Sequence, residues 1–290
     1  MKHILRSAIF ASVLLTSAAV ETVAAQEPQA VAAAPSATAQ NPADVPNAAE
    51  VIRKAHAAQY SLPKQGMKSF RCSITIDWDA LYKGLGANSE SSQTVLALLK
   101  KTHFKVAVGP DGASSISRES DEPPPSAEIA ERLQQSQAGA EQMINGFLKS
   151  WAGFMVQSMI PAPDEKYHLV LVDGKYLLTL SDKGTDLAID FDANLAMERV
   201  SVKSAALNAE LKPTFENTPN GYVLVAYVAT FPAPQAGGPT GADVKIENQM
   251  VDGFQLPHLV NLAVPIKETT VVIHMTFSDY QVTYKLVDLK

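Results

Sequence analysis

The chain has 290 residues, 46% hydrophobic and 19% charged, with 24 Lys plus Arg against 30 Asp plus Glu for a formal net charge of -6. This is enough apolar material for one large or two small cores and too little charge for a wholly disordered protein. The acidic balance argues against a nucleic-acid partner, which needs a basic face to release phosphate counterions. A single cysteine, Cys72, excludes an intramolecular disulfide and any cysteine-based metal site.

The predicted elements begin with an export signal. Lys2, His3 and Arg6 precede the apolar run Ser7 to Val20, which is too short to span a bilayer, and small residues at Val23 and Ala25 suit cleavage after Ala25, with Ala19 as a rival site. Residues 1–25 are therefore expected to be a signal peptide. The mature chain is expected to be periplasmic or secreted, with no transmembrane anchor. Residues 26–46, rich in Ala, Pro and Gln, read as a flexible tether, and residues 47–290 as a single folded domain. Asn47, with Glu50 three residues on, predicts a box-like cap for a short helix to about Tyr60 that places Val51, Ile52, Ala55 and Gln59 on one side.

From Lys68 to Tyr82 the residues alternate, with Phe70, Cys72, Ile74, Ile76, Trp78 and Ala80 on one side and Arg71, Ser73, Thr75, Asp77 and Asp79 on the other, which predicts one long half-buried strand. A short helix follows near Glu90 to Lys101. Beyond the stiff loop Asp121 to Pro125, Ser126 to Ile160 reads as one long helix, with Glu128 and Glu131 in its positive first turn. Its apolar stripe runs Ile129, Leu133, Ala140, Met143, Ile144, Phe147, Leu148, Trp151, Phe154, Met155 and Met159. Gly139, Gly146 and Gly153 recur every seven residues. Either their side packs closely on the sheet or it stays open for a ligand.

The remainder alternates at period two between turn signals. The expected strands are Tyr167 to Val172 and Tyr176 to Leu180 about Asp173-Gly174, then Asp186 to Phe191 and Ala196 to Val202. Leu207 to Phe215 and Tyr222 to Phe231 flank Pro219-Asn220-Gly221. Val244 to Val251 and Gln255 to Val264 flank Asp252-Gly253, and Thr269 to Phe277 and Gln281 to Leu289 meet at Ser278 to Tyr280. About ten strands joined by tight turns make an antiparallel meander of the α+β class.

No nucleophile elbow, zinc-protease motif, phosphate loop or dinucleotide turn is present, and no cofactor is indicated. His56, His103, His168, His258 and His274 stand singly. Asp77 and Asp79 share a predicted strand face as glycosidase carboxylates do, but without aromatic platforms around them. Asp190, Asp192 and Asn194 start like a calcium loop, yet Leu195 and Ser201 occupy the positions that need Gly and Glu, so a hairpin turn is expected.

The order of elements resembles the LolA-like group of periplasmic lipoprotein carriers and outer-membrane lipoprotein-sorting proteins. The resemblance spans roughly residues 47–290. It rests on a capped helix before Lys68-Ser69-Phe70-Arg71, on Val172-Asp173-Gly174-Lys175 with the following hairpins through Val200, and on Asp252-Gly253-Phe254-Gln255-Leu256-Pro257 through Phe277-Ser278-Asp279-Tyr280-Gln281-Val282. It implies a large antiparallel sheet curved into a half-open barrel, covered by one long helix and shorter helices. It also implies a non-enzymatic binder whose concave apolar face takes an acyl chain or lipidated protein, with envelope membrane proteins as further partners; the helix's own apolar stripe makes Met143, Phe147, Trp151, Phe154, Met155 and Met159 the candidate cleft residues. The alternative expectation is an envelope interaction or scaffold protein whose core is filled by its own side chains.

Overall fold

A computed structural model describes residues 43–120, 122–205, 208–231, 240–266 and 269–285. The expected signal peptide, nearly all of the expected tether and the end of the last expected strand lie outside these residues.

The N-terminal part carries the two-residue strand β1 (Ala43–Asp44), the helix α1 (Ala48–Ala58) and the strand β2 (Met67–Ile76). Two short helices follow, α2 (Trp78–Gly84) and α3 (Glu90–Leu99), then the hairpin β3 (Thr102–Val108) and β4 (Ser114–Ser120), and then the long helix α4 (Ala127–Ala152), which ends in a π-helical turn at Gly153–Gln157. The meander comprises β5 (His168–Val172), β6 (Lys175–Asp182), β7 (Thr185–Phe191), β8 (Met197–Lys203), β9 (Asn208–Thr218), β10 (Gly221–Phe231), β11 (Thr240–Val251), β12 (Phe254–Ile266) and β13 (Thr269–Tyr284).

Among the described residues these thirteen strands form one sheet in the order β1-β5-β6-β7-β8-β9-β10-β11-β12-β13-β2-β3-β4, antiparallel throughout. The sheet is curved and does not close into a barrel. Turn chemistry fixes the meander's register. Asp173 and Gly174 have φ of 50° and 78°, and Asp252 and Gly253 have φ of 51° and 88°, the left-handed pairs that two-residue hairpins require.

Helix α4 lies across the sheet's inner face. Ser126 caps it by accepting from the Ile129 amide at 3.3 Å. Its buried stripe makes ring contacts from Trp151 to Phe70 of β2 and from Phe147 to Phe277 of β13, and Phe154 of the π-helical turn reaches Phe215 of β9 and Tyr227 of β10. The core is therefore the layer between this helix and the middle of the sheet. Asn145 accepts from Ser114 and Glu141 pairs with Arg118, which holds the same helix along β4. The end of α1 is seated on β10. The Tyr60 amide donates to the Tyr222 carbonyl at 3.2 Å, and Gly221, at φ 109°, lets the chain pass so close that a Cβ would lie 2.7 Å from the Ala58 carbonyl oxygen.

Five local expectations differ from what the fold adopts. The first long strand stops at Ile76 because Asp77 accepts from the Ala80 amide and caps α2, so Asp77 and Asp79 share no strand face; Asp79 instead pairs with Lys100 at 2.7 Å. Asn47 lies in the left-handed region at φ 68°. Its side chain caps no amide and instead donates to the Glu50 carboxylate, so the expected box does not form. The two expected C-terminal strands are one strand, β13. Its first half pairs with β12 and its second half with β2, the partners changing at Met275 and Thr276, while Asp279 and Tyr280 bulge out of register within the β2 pairing. Ala43–Asp44, inside the expected tether, pair with β5. The hairpin β3–β4 was not expected. Its signal is the alternation of Phe104, Val106 and Val108 in β3, whereas edge strand β4 has one apolar side chain, Ile116, and so carries almost no pattern.

Candidate functional site

The cleft of interest lies on the flank of α4 beside its core-facing stripe. Met143, Gly146 and Ser150 follow one another at helical spacing and line the cleft from the helix. The sheet supplies two cross-strand rows opposite them. Tyr227 of β10 pairs with Val244 of β11, which pairs with Leu262 of β12, and Ala229 pairs with Ala242. With Phe147, Phe231 and Gln142, these groups line a cleft with a cavity of about 50 Å³ that no charged side chain borders. Ala229 and Ala242 open it, since small residues in adjacent strands leave a hollow that larger ones would fill.

The glycines of α4 divide. At Gly139 and Gly146 a Cβ would meet nothing within 4 Å, whereas at Gly153 it would lie 2.7 Å from the Met159 Cε. Close packing on the sheet therefore explains none of the three, since Gly153 meets only the flexible end of Met159, and Gly146 stands at an open cleft wall.

Of the six expected cleft residues the structure brings two to the cavity, Met143 and Phe147. Trp151, Phe154 and Met155 are core residues at 0%, 4% and 1% exposure, and Met159 is half-buried against the same core. The Trp151 indole N–H is buried without a hydrogen-bond partner. Sequence reasoning missed the sheet side of the cleft and Ser150. The available signal was the every-second-residue set Tyr227, Ala229 and Phe231, but periodicity does not show which strand stretch faces a helix's flank.

Other candidates resolve into structure. Asp192 accepts from the Asn194 and Ala196 amides and Asp190 pairs with Arg199 at 2.8 Å, so the calcium-like spacing is a hairpin turn. His103, His168 and His258 are exposed. His56 bonds the Pro161 carbonyl at 2.9 Å, and burial holds its pKa below the ordinary histidine value. His274 lies against Asn261. Among the described residues no three His, Cys, Asp or Glu side chains converge as metal ligands do. Cys72 lies buried on the inner face, its thiol pushed up to about 12 by burial, which makes it a poor nucleophile.

A larger concavity of about 620 Å³ lies on the outer face of β13, β2, β3 and β4, around Arg71, Ser73, Lys105, Ser117, Asp279 and Gln281. It is open to solvent and mixed in charge, and Lys105 is held by Glu119 at 2.8 Å. The smaller inner cleft is apolar, the character of a site that takes hydrophobic ligands.

No protein-family model matches this chain, and no curated protein matches it. Among the described residues no helix is long and apolar enough to cross a membrane.

Proposed function

We propose that the protein is an exported, non-enzymatic binder of a hydrophobic chain, related to the LolA-like carriers, and that the cleft between α4 and strands β10 to β12 is where the chain enters. The observation that carries this reading is the uncharged cleft wall at Gly146, where the helix has no side chain and the space beside it is empty. An apolar slot of this kind stabilises a ligand by about 0.8 kcal/mol for each methylene taken out of water. The conformation described is a closed one. Its cavity of about 50 Å³ is far below the roughly 300 to 1,000 Å³ of formed ligand pockets, so binding requires α4 to shift away from β10 to β12.

The same small volume supports a second reading, an envelope interaction protein with a filled core. Native mass spectrometry separates the two. Protein purified from its host, and recombinant protein incubated with phospholipid and fatty-acid methyl esters, are expected to carry bound lipid. Bare protein in both preparations would leave the second reading standing.

A further inference from the structure

The two ends of the cleft differ. Along α4 its lining runs from Gln142 through Gly146 to Ser150, and along β10 it runs the opposite way, from Phe231 through Ala229 to Tyr227. Phe154, one helical turn past Ser150, fixes this direction by packing on Tyr227 with ring centroids 6.4 Å apart. At one end Gln142 is exposed and Phe231 half-buried, so that end is open to water. At the other, Ser150 and Tyr227 are 8% and 4% exposed, and Phe154 stands behind them, itself backed by Phe215 of β9 at 6.0 Å. The cleft is therefore open beside Gln142 and stopped at Phe154.

The chemistry of the stopped end limits what can be carried there. No charged side chain borders the cleft, so a charged group taken inward would lose its water and gain no counter-charge. The Ser150 hydroxyl offers little in exchange, because it donates to the Gly146 carbonyl at 3.0 Å. Methylenes, by contrast, gain from the apolar walls at every step inward.

We propose that the ligand is an amphiphile with one charged end, that it enters with its uncharged end first, and that Phe154 stops it, leaving the charged end in water beside Gln142. The inference rests on the reading of the cleft as a chain-binding site and adds to it a direction and a length limit.

The test uses the full chain and two preparations of hexadecanoic acid, one carbon-13 labelled at its terminal methyl and one at its carboxyl carbon. In isotope-filtered NMR the terminal methyl is expected to show nuclear Overhauser effects to the ring protons of Phe154 and Tyr227, and the bound carboxyl to titrate as an ordinary solvent-exposed carboxylate. Affinities of the saturated acids from decanoic to octadecanoic are read by displacement of N-phenyl-1-naphthylamine, with near-ultraviolet circular dichroism to check the fold. Wild-type affinity is expected to rise about fourfold for each added methylene and to level off once the chain meets Phe154. Phe154→Leu is expected to move that levelling to a longer chain. Overhauser effects from the terminal methyl to Phe231, or a bound carboxyl that does not titrate, would overturn the direction, and a levelling unmoved by Phe154→Leu would overturn the role of Phe154, each leaving the cleft a chain-binding site. Failure of every acid to bind would overturn both.

Discussion

Trp151 shows how burial and binding separate among single residues. It lies on the same helix as the cleft and is fully buried against Phe70. Trp151→Ala is expected to lower unfolding free energy by about 3 to 5 kcal/mol through cavity formation, whereas a cleft residue would show its effect in ligand affinity. Urea denaturation checks the first and probe displacement the second. His56 predicts a pH dependence. Its pKa is lowered in the folded state by burial, so unfolding takes up a proton once the pH falls below the unfolded value near 6.5. The contribution is complete above that value and is lost as the pH falls through the folded one. Wild-type stability is therefore expected to decline from pH 7.5 to 5.5 more than that of His56→Gln, as read by urea midpoints at the two pH values. Cys72 is expected to resist Ellman's reagent in the native protein and to react at once in denaturant.

For the elements, the informative contrast lies between two glycines. Gly146 sits inside α4 with open space where a Cβ would be, so Gly146→Leu relieves the helix of a poor former and fills the cleft mouth. It is expected to keep or raise thermal stability by up to about 1 kcal/mol while abolishing chain binding, and Gly146→Ala to be similarly stable with binding retained. Calorimetry and the displacement assay together decide it. Gly221 is the opposite case. Its φ of 109° and the carbonyl 2.7 Å from its Cβ position leave no room for any side chain. Gly221→Ala is expected to destabilise by more than about 1 kcal/mol and to loosen the contact of α1 with β10, visible as faster hydrogen exchange at the Tyr60 amide. One such loss of stability against one such gain argues that the glycine spacing along α4 and the glycine in the β9–β10 turn have different causes.

Across the whole molecule, the buried side chains of α1 through β13 form one contiguous cluster, with Trp78 near α2 and Trp151 near the end of α4 both inside it. A single core predicts a single cooperative transition. The variants Trp78→Phe and Trp151→Phe, each reporting through its one remaining tryptophan, are expected to show denaturation curves that coincide with far-ultraviolet circular dichroism of the same variant; separate midpoints would indicate independently unfolding parts. Helix α4 is held along β4 by Asn145 and Glu141, is pinned in the core by Trp151, and has open space beside Gly146.

The order and pairing of the meander from β5 to β12 were legible, because with a period of two a slip by one residue turns every apolar side chain to water, but the strand ends and the register shifts at Leu224/Ala226, Glu247/Asn248 and Asp190/Phe191 were not. The long helix was legible for the same reason at its own period, as was the buried face of β2 with Cys72 on it. Local pattern failed where a residue's role is set by a distant partner. Asp77 ends a strand that still alternates because it can cap a helix, β13 continues through a turn-like triplet because β2 waits beside it, and β4 pairs although it has little apolar content. The site divides in the same way. The amino-acid sequence by itself determined that α4 would carry an apolar stripe and a row of glycines. Only the tertiary structure decided that the stripe's large side chains are core, and that the open flank faces Tyr227, Ala229 and Val244. A cavity is a property of the space between elements, and sequence period fixes which face of an element is apolar but not how far apart two such faces come to rest.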